Sequence, residues 1–225
     1  MAAASPLAAG LVALRRFWRP FLLIQSAAVA LGLAYYFSGS VRAACAVAAV
    51  WKTRGGLPFA AVSGAIAGGL LPELAKRLAG GGRRASARAP ERPGALLFQL
   101  LFFAVNGVVV DLLYRFEGRL FGAEASLVTV SFKVAFDQFV FTPLWLAVIV
   151  ALFLWRQRGY SLAALAPDLR GGFYRARVVP LLLPDWCFWI PMVSIIYALP
   201  VALQFLLFVP ALGAWSLIMV FIADR

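Results

Sequence analysis

The sequence predicts an all-α fold, a polytopic helical membrane bundle of four to six transmembrane helices, on two observations. Of 225 residues 64% are hydrophobic and only 13% charged, whereas a soluble domain carries about 25% charged residues. A chain of this length has too little interior to hide so much Leu, Ala, Val and Phe from water. The apolar residues also gather into stretches of bilayer length, separated by Arg-rich segments. The whole chain, 1–225, reads as a single integral membrane domain.

The first stretch covers residues 20–38. Before it, Arg15, Arg16 and Arg19 follow a short apolar start, the reverse of the order in a secretory signal. This start reads as a basic lip on the cytoplasmic side, with an organellar targeting reading as the alternative. Residues 41–51 are too short to span and fit either a helix lying at the interface or a re-entrant one. The second stretch is 55–72. Residues 75–93, rich in Gly, Arg and Ala without hydrophobic period, read as a basic flexible inside loop near anionic lipid heads.

The third and fourth stretches are 95–114 and 134–154. At about 18 to 21 residues, each of the first four covers about 27–31 Å, enough for one crossing. The last run, 181–222, is broken by Pro184, Pro191, Pro200 and Pro210 and fits a helical hairpin turning near Pro200. With six crossings, 15 of the 21 Lys and Arg fall on one side. Both termini are therefore expected inside. A final run that crosses only once moves Arg225 alone, so the charge bias leaves five and six spans open.

Composition also removes whole classes of chemistry. There is no histidine, so Ser-His triads and imidazole metal sites are excluded. Cys45 and Cys187 stand far apart in apolar surroundings and offer no thiolate zinc site or disulfide framework. No catalytic, cofactor or metal residues are expected, and no enzyme. The net charge of +12 punctuates apolar runs, a pattern of orientation and lipid contact rather than nucleic-acid binding.

The informative residues are charges within or beside the spans. An Asp at a helix centre costs ~2.5–3.5 kcal/mol on insertion scales and needs a partner, water or a role. Asp111 and Arg115 are four apart, as are Lys133 and Asp137, with Gln138 adjoining, so each Asp has a cation on its own helix face. In the alternating topology the two pairs share one membrane level and line a polar mouth between the third and fourth spans. The competing reading is that both lie near the interface and lock helices together. An Asp111–Asp137 catalytic dyad is disfavoured, since each acid has a nearer cation. Glu73 with Arg77 reads as an interfacial staple, and Trp18, Trp51, Trp155 and Trp186 as interface anchors. Small residues recur at Ser26, Ala30 and Ala34 and at Ala60, Gly64 and Gly68, faces that let helix backbones approach.

The element Lys133-x-x-x-Asp137-Gln138-x-x-x-x-Pro143 resembles the signature of the Mpv-seventeen/peroxisomal-membrane-protein-twenty-two family. Trp186, Trp189 and Pro191 resemble that family's W-x-x-W-P entry, Pro200 its later V-P, and Trp215 its terminal Trp. Gly107, Asp111 and Tyr114 fall in the frame of its G-P-x-x-H-x-W-Y motif. Val108, Asp111 and Leu113 replace the motif's Pro, His and Trp, Ile190 separates Trp189 from Pro191, Tyr197-Ala198 stands where the family has N-F, and Gln204 stands where it has an Arg. The likeness covers about residues 107–215. It implies a divergent, bacterial or organellar (mitochondrial or peroxisomal) member, a multi-helix membrane protein usually described with four spans and linked to channel-like passage of small solutes. The partners expected are the bilayer, its anionic heads and a small-solute permeant. A membrane structural or assembly factor is the alternative.

Overall fold

The computed structural model describes residues 6–79 and 94–223. Among them every element is helical and none is a strand. In chain order these are α1 (Pro6–Phe37), α2 (Gly39–Gly64), α3 (Leu71–Ala79), α4 (Ala95–Phe121), α5 (Leu127–Phe136), α6 (Thr142–Gln157), α7 (Leu162–Leu169), α8 (Val179–Tyr197) and α9 (Val201–Ala223). Three π-helical turns interrupt them, at Ala65–Leu70, Asp137–Phe141 and Tyr174–Val178.

Among the described residues, six helical stretches are long and apolar enough to cross a membrane: Trp18–Phe37, Gly39–Leu78, Ala95–Phe121, Leu127–Gln157, Tyr174–Tyr197 and Val201–Ile218. Their outer faces carry bare apolar side chains, among them Leu23, Leu127 and Leu144 at 73%, 83% and 65% exposure. Such surface is costly in water and ordinary in lipid. The molecule is thus an all-α protein built to reside in a membrane.

Several boundaries differ from the sequence expectation. Residues 41–51 belong to a helical segment that starts at Gly39 and is divided from the helix after it at Gly56, within the candidate span Gly39–Leu78. Lys52, Thr53 and Arg54 do not break a helix. The stretch bends instead at Gly56, whose φ of 54° and ψ of −137° lie where only glycine sits without strain. The expected loop 75–93 starts later than its composition suggests: residues 75–79 belong to α3, while 80–93 lie outside the described residues. Arg15, Arg16 and Arg225 lie among the residues whose side chains are not described. The third and fourth helices also outrun their expected spans, to Phe121 and back to Leu127.

Where 1–225 reads as one domain from sequence, the contacts gather into two compact units. One comprises Met1–Gln25 and Val130–Ser194, the other Ser26–Thr129 and Ile195–Arg225. In the second unit α2 and α4 meet through glycine. A Cβ on Gly64 would lie 3.0 Å from the Gly107 Cα, and one on Gly107 would lie 3.2 Å from the Gly64 Cα and foul the Ala60 carbonyl oxygen. Gly68 packs under the Phe103 ring in the same way. The Ala60, Gly64 and Gly68 face is therefore a backbone-to-backbone seam, the arrangement that drives helix association where lipid supplies no hydrophobic effect. Gln99 spans the seam with its Nε2 donating to the Gly68 carbonyl at 3.4 Å, inside the π turn.

The same unit closes on an aromatic group: Tyr114 stands edge-on to Tyr197 and Phe208, with ring centroids 5.4 and 6.0 Å away. The chain turns between α8 and α9 at Ala198–Pro200, and Tyr36 donates its hydroxyl to the Ala198 carbonyl there. In the first unit Phe21 of α1 meets Phe188 of α8 edge-on at 5.3 Å, and Gln25 Nε2 donates to the Phe188 carbonyl at 2.6 Å. Pro184 and Pro191 stand inside α8 and remove backbone donors from its ladder, which membrane helices tolerate where neighbours satisfy the freed groups.

Candidate functional site

Each unit holds its own group of buried ionisable side chains. In the unit of Ser26–Thr129 and Ile195–Arg225, the buried stripe of α4 includes Asn106, Gly107, Val110, Asp111, Leu113, Tyr114 and Glu117, a helical period facing inward. Asp111 lies near the middle of this candidate span and is 1% exposed. Two cations neutralise it. Arg115, one turn on, brings Nη2 to 2.6 Å from one carboxylate oxygen, and Lys52 of α2 brings Nζ to 2.6 Å from the other. The Lys52 ammonium also sits 5.8 Å from the centre of the Phe205 ring of α9, a cation–π contact. Six residues beyond Asp111, fully buried Glu117 accepts a hydrogen bond from the Tyr197 hydroxyl at 2.5 Å.

The sequence expectation gives Asp111 one partner, Arg115. Lys52, Glu117 and Tyr197 are additions that only the fold supplies. Lys52 reads as a loop cation because apolar stretches flank it on both sides, yet its side chain is 11% exposed and points at an acid. A basic residue framed by two apolar runs is the signal that marks it.

In the unit of Met1–Gln25 and Val130–Ser194, Lys133, Asp137 and Gln138 are buried at 1%, 5% and 2% exposure. They lie about two to three turns inside the candidate span Leu127–Gln157. Asp137 opens a π turn, a local widening that recurs at functional positions in helices. Thr142 Oγ1 lies 3.4 Å from an Asp137 carboxylate oxygen as a donor, and Pro143 follows in the first turn of α6.

Trp186, expected as an interface anchor, instead lies mid-span in Tyr174–Tyr197 and donates its indole Nε1 to the Gln138 carbonyl at 2.8 Å. Its ring stands edge-on to Phe139 at 5.4 Å. In the i→i+5 ladder of the π turn the Gln138 carbonyl would face Pro143, which has no N–H to give, so the indole can supply the donor. Beside Trp186, Asp185 is 8% exposed and its Oδ2 has no hydrogen-bond partner. Sequence reasoning missed Asp185, although it is the only charged residue in the 42-residue run 181–222 and has no cation one turn away.

The remaining residues of the family-like pattern are spread over both units. Trp189 is half-buried and edge-on to Phe188, Pro191 is exposed inside α8, Pro200 is exposed at the α8–α9 turn, and Trp215 is half-buried in α9. Gln204 donates to the Leu199 carbonyl at 3.1 Å and so ties the start of α9 to the turn. The expected Glu73 staple forms, with Arg77 Nε at 2.9 Å and Lys76 Nζ at 3.8 Å. Outside the spans, Arg158 makes a two-pronged contact with Asp168 at 2.7 and 3.0 Å, which joins the end of α6 to α7. That hydrogen bond holds the Asp168 carboxyl below its ordinary pKa and raises the Arg158 guanidinium.

These arrangements place and balance charge in a low-dielectric interior. Among the described residues no three His, Cys, Asp or Glu side chains gather to hold a metal ion. No model of a known family, no characterised protein and no solved structure matches the chain.

Proposed function

We propose that the protein is a membrane-embedded pore or facilitator for small solutes. The carrying observation is the group Lys133, Asp137, Gln138 and Asp185, buried well inside candidate membrane spans. Ionisable residues at that depth are expensive and mark solute or ion pathways more often than they mark ordinary packing. The resemblance of Lys133, Asp137, Gln138 and Pro143 to the Mpv-seventeen/peroxisomal-membrane-protein-twenty-two signature supports the same reading, in a bacterial inner membrane or an organellar one, with both termini inside and the basic segments against anionic lipid heads. The role is transport rather than catalysis.

Reconstitution tests it. Purified protein in planar bilayers should conduct or leak small solutes, and Asp137→Asn should change the ion preference, since charged rings set selectivity in such paths. Vesicles that stay tight to ions and metabolites at every voltage overturn this reading.

A second reading, a structural or assembly factor, is favoured by one observation. The Lys52–Asp111–Arg115 group knits α2 to α4 with its acid fully paired, as a packing device requires. On that reading Asp137→Asn lowers folded yield and leaves permeability unchanged.

A further inference from the structure

Consecutive crossings that end at Gln157 and restart at Tyr174 leave both ends of residues 158–173 at one membrane surface. This connection is folded rather than slack. Left-handed residues turn the chain at each end, Gly159 and Tyr160 at φ of 66° and 62°, Gly171 and Gly172 at 63° and 96°. The Trp155 ring stands edge-on to Tyr160 at 5.0 Å, the Ser161 hydroxyl caps α7 by accepting from the Ala164 amide at 3.2 Å, and Arg158 grips Asp168 with two hydrogen bonds. Leu165 is buried, and both α7 and the π turn Tyr174–Val178 pack against α6.

What this platform presents to its surroundings is cationic and apolar together. Residues 156–177 hold five arginines and one acid, Asp168, and that acid is already bound by Arg158. Arg170, Arg175 and Arg177 are exposed and make no hydrogen bond or ion pair among the described residues. Among them Tyr160, Leu162, Leu169 and Tyr174 are exposed too, Leu162 to 73%, and Leu162 and Leu169 lie seven apart on one helix face. A basic segment surrounded by water gains nothing from large apolar side chains set between its charges. One lying on a bilayer buries them at the boundary of headgroups and acyl chains while its arginines reach the phosphates, whose oxygens the guanidinium fork matches in pairs. An acidic protein would satisfy the arginines but not the leucines and tyrosines, and lipid is already present at both ends of the segment.

We propose that residues 158–177 form a binding surface for anionic phospholipid headgroups, with Arg170, Arg175 and Arg177 on the lipid phosphates and Leu162 and Leu169 seated at the edge of the acyl chains. Arg158 is a positioning residue, which holds α7 in place through Asp168. The surface rests on the part of the proposed function that sets basic segments against lipid heads, and narrows it to one folded site. It stands whether or not the protein conducts.

The test uses the full-length protein in mixed detergent–lipid micelles at constant pH. Phosphatidylglycerol should raise the melting temperature along a saturating curve where phosphatidylcholine of the same acyl chains does not, and a photoactivatable phosphatidylglycerol should label peptides within residues 158–177. Each of Arg170→Gln, Arg175→Gln and Arg177→Gln should raise the half-saturating lipid fraction by about fivefold, and higher salt should shift the wild-type curve in the same direction. Should the triple variant not fold, Arg175→Gln alone and the salt shift of the wild type read the same property. Equal stabilisation by the two lipids, label confined to other segments, or a folded triple variant with the wild-type curve overturns the proposal. So does displacement of the label by inorganic phosphate or an acidic peptide at an ionic strength where chloride leaves it in place, since the arginines would then serve a soluble partner. Tight vesicles with intact phosphatidylglycerol selectivity would sink the pore reading and leave this surface standing, and conduction without that selectivity would do the reverse.

Discussion

The two units treat buried charge in opposite ways. In the unit of Ser26–Thr129 and Ile195–Arg225, Asp111 receives a cation on each oxygen and Glu117 receives a tyrosine hydroxyl. In the unit of Met1–Gln25 and Val130–Ser194, Asp185 keeps an oxygen with no hydrogen-bond partner. Both groups lie in helices of membrane-spanning length. A charge whose partners arrive from two helices holds helices together. The second group falls in the family-like pattern and is buried in candidate spans, which is why it, and not the first, carries the functional proposal.

Removing the acid from the satisfied group should produce the largest effect. Asp111→Ala leaves Lys52 buried against the Phe205 ring with no counter-charge, and breaking a buried pair in this way costs about 3–5 kcal/mol. A steep fall in monodisperse yield and in melting temperature is expected, and a variant as stable as the wild type would erase the contrast between the units. In the other unit the structural element is the indole bond, not the acids. Trp186→Phe removes the donor to the Gln138 carbonyl while keeping most of the ring, and should lower stability by about 0.5–1.5 kcal/mol. Thermal unfolding reads this directly, and a loss as large as that of Asp111→Ala would mean the π turn is as tightly tied as the α2–α4 seam.

The smallest effect belongs to the exposed Arg158–Asp168 contact. The Arg158 hydrogen bond lowers the folded pKa of Asp168. Its contribution is therefore complete above the unfolded carboxylate pKa and disappears as pH falls through the lowered folded value. Protection of the α7 amides, corrected for the intrinsic pH dependence of exchange, should hold above about pH 5 and fall as pH drops below about 4, and Asp168→Asn should show the lower protection at neutral pH already. An α7 whose exchange ignores both changes is held by other contacts.

How much of this was readable from the chain follows the range of each interaction. The Asp111–Arg115 and Glu73–Arg77 pairs were legible because both members sit one turn apart on one helix, where spacing alone fixes contact. The small-residue series Ala60, Gly64, Gly68 was legible as a packing face, but not its partner Gly107, some forty residues away. Lys52 and Asp185 escaped for the same cause. Each lacks an oppositely charged neighbour at helical spacing, so its environment is set entirely by other segments.

Sequence by itself determined that this chain is helical and made for lipid, because apolar residues in runs of bilayer length leave the backbone no partner but its own next turn. It also determined which chemistries are closed to it, since no fold can supply histidines that are not there. Tertiary structure alone decided which buried charges are neutralised. Counter-charges converge from helices distant in sequence, and the bend at Gly56, the glycine seam and the π turn at Asp137 set what each one meets.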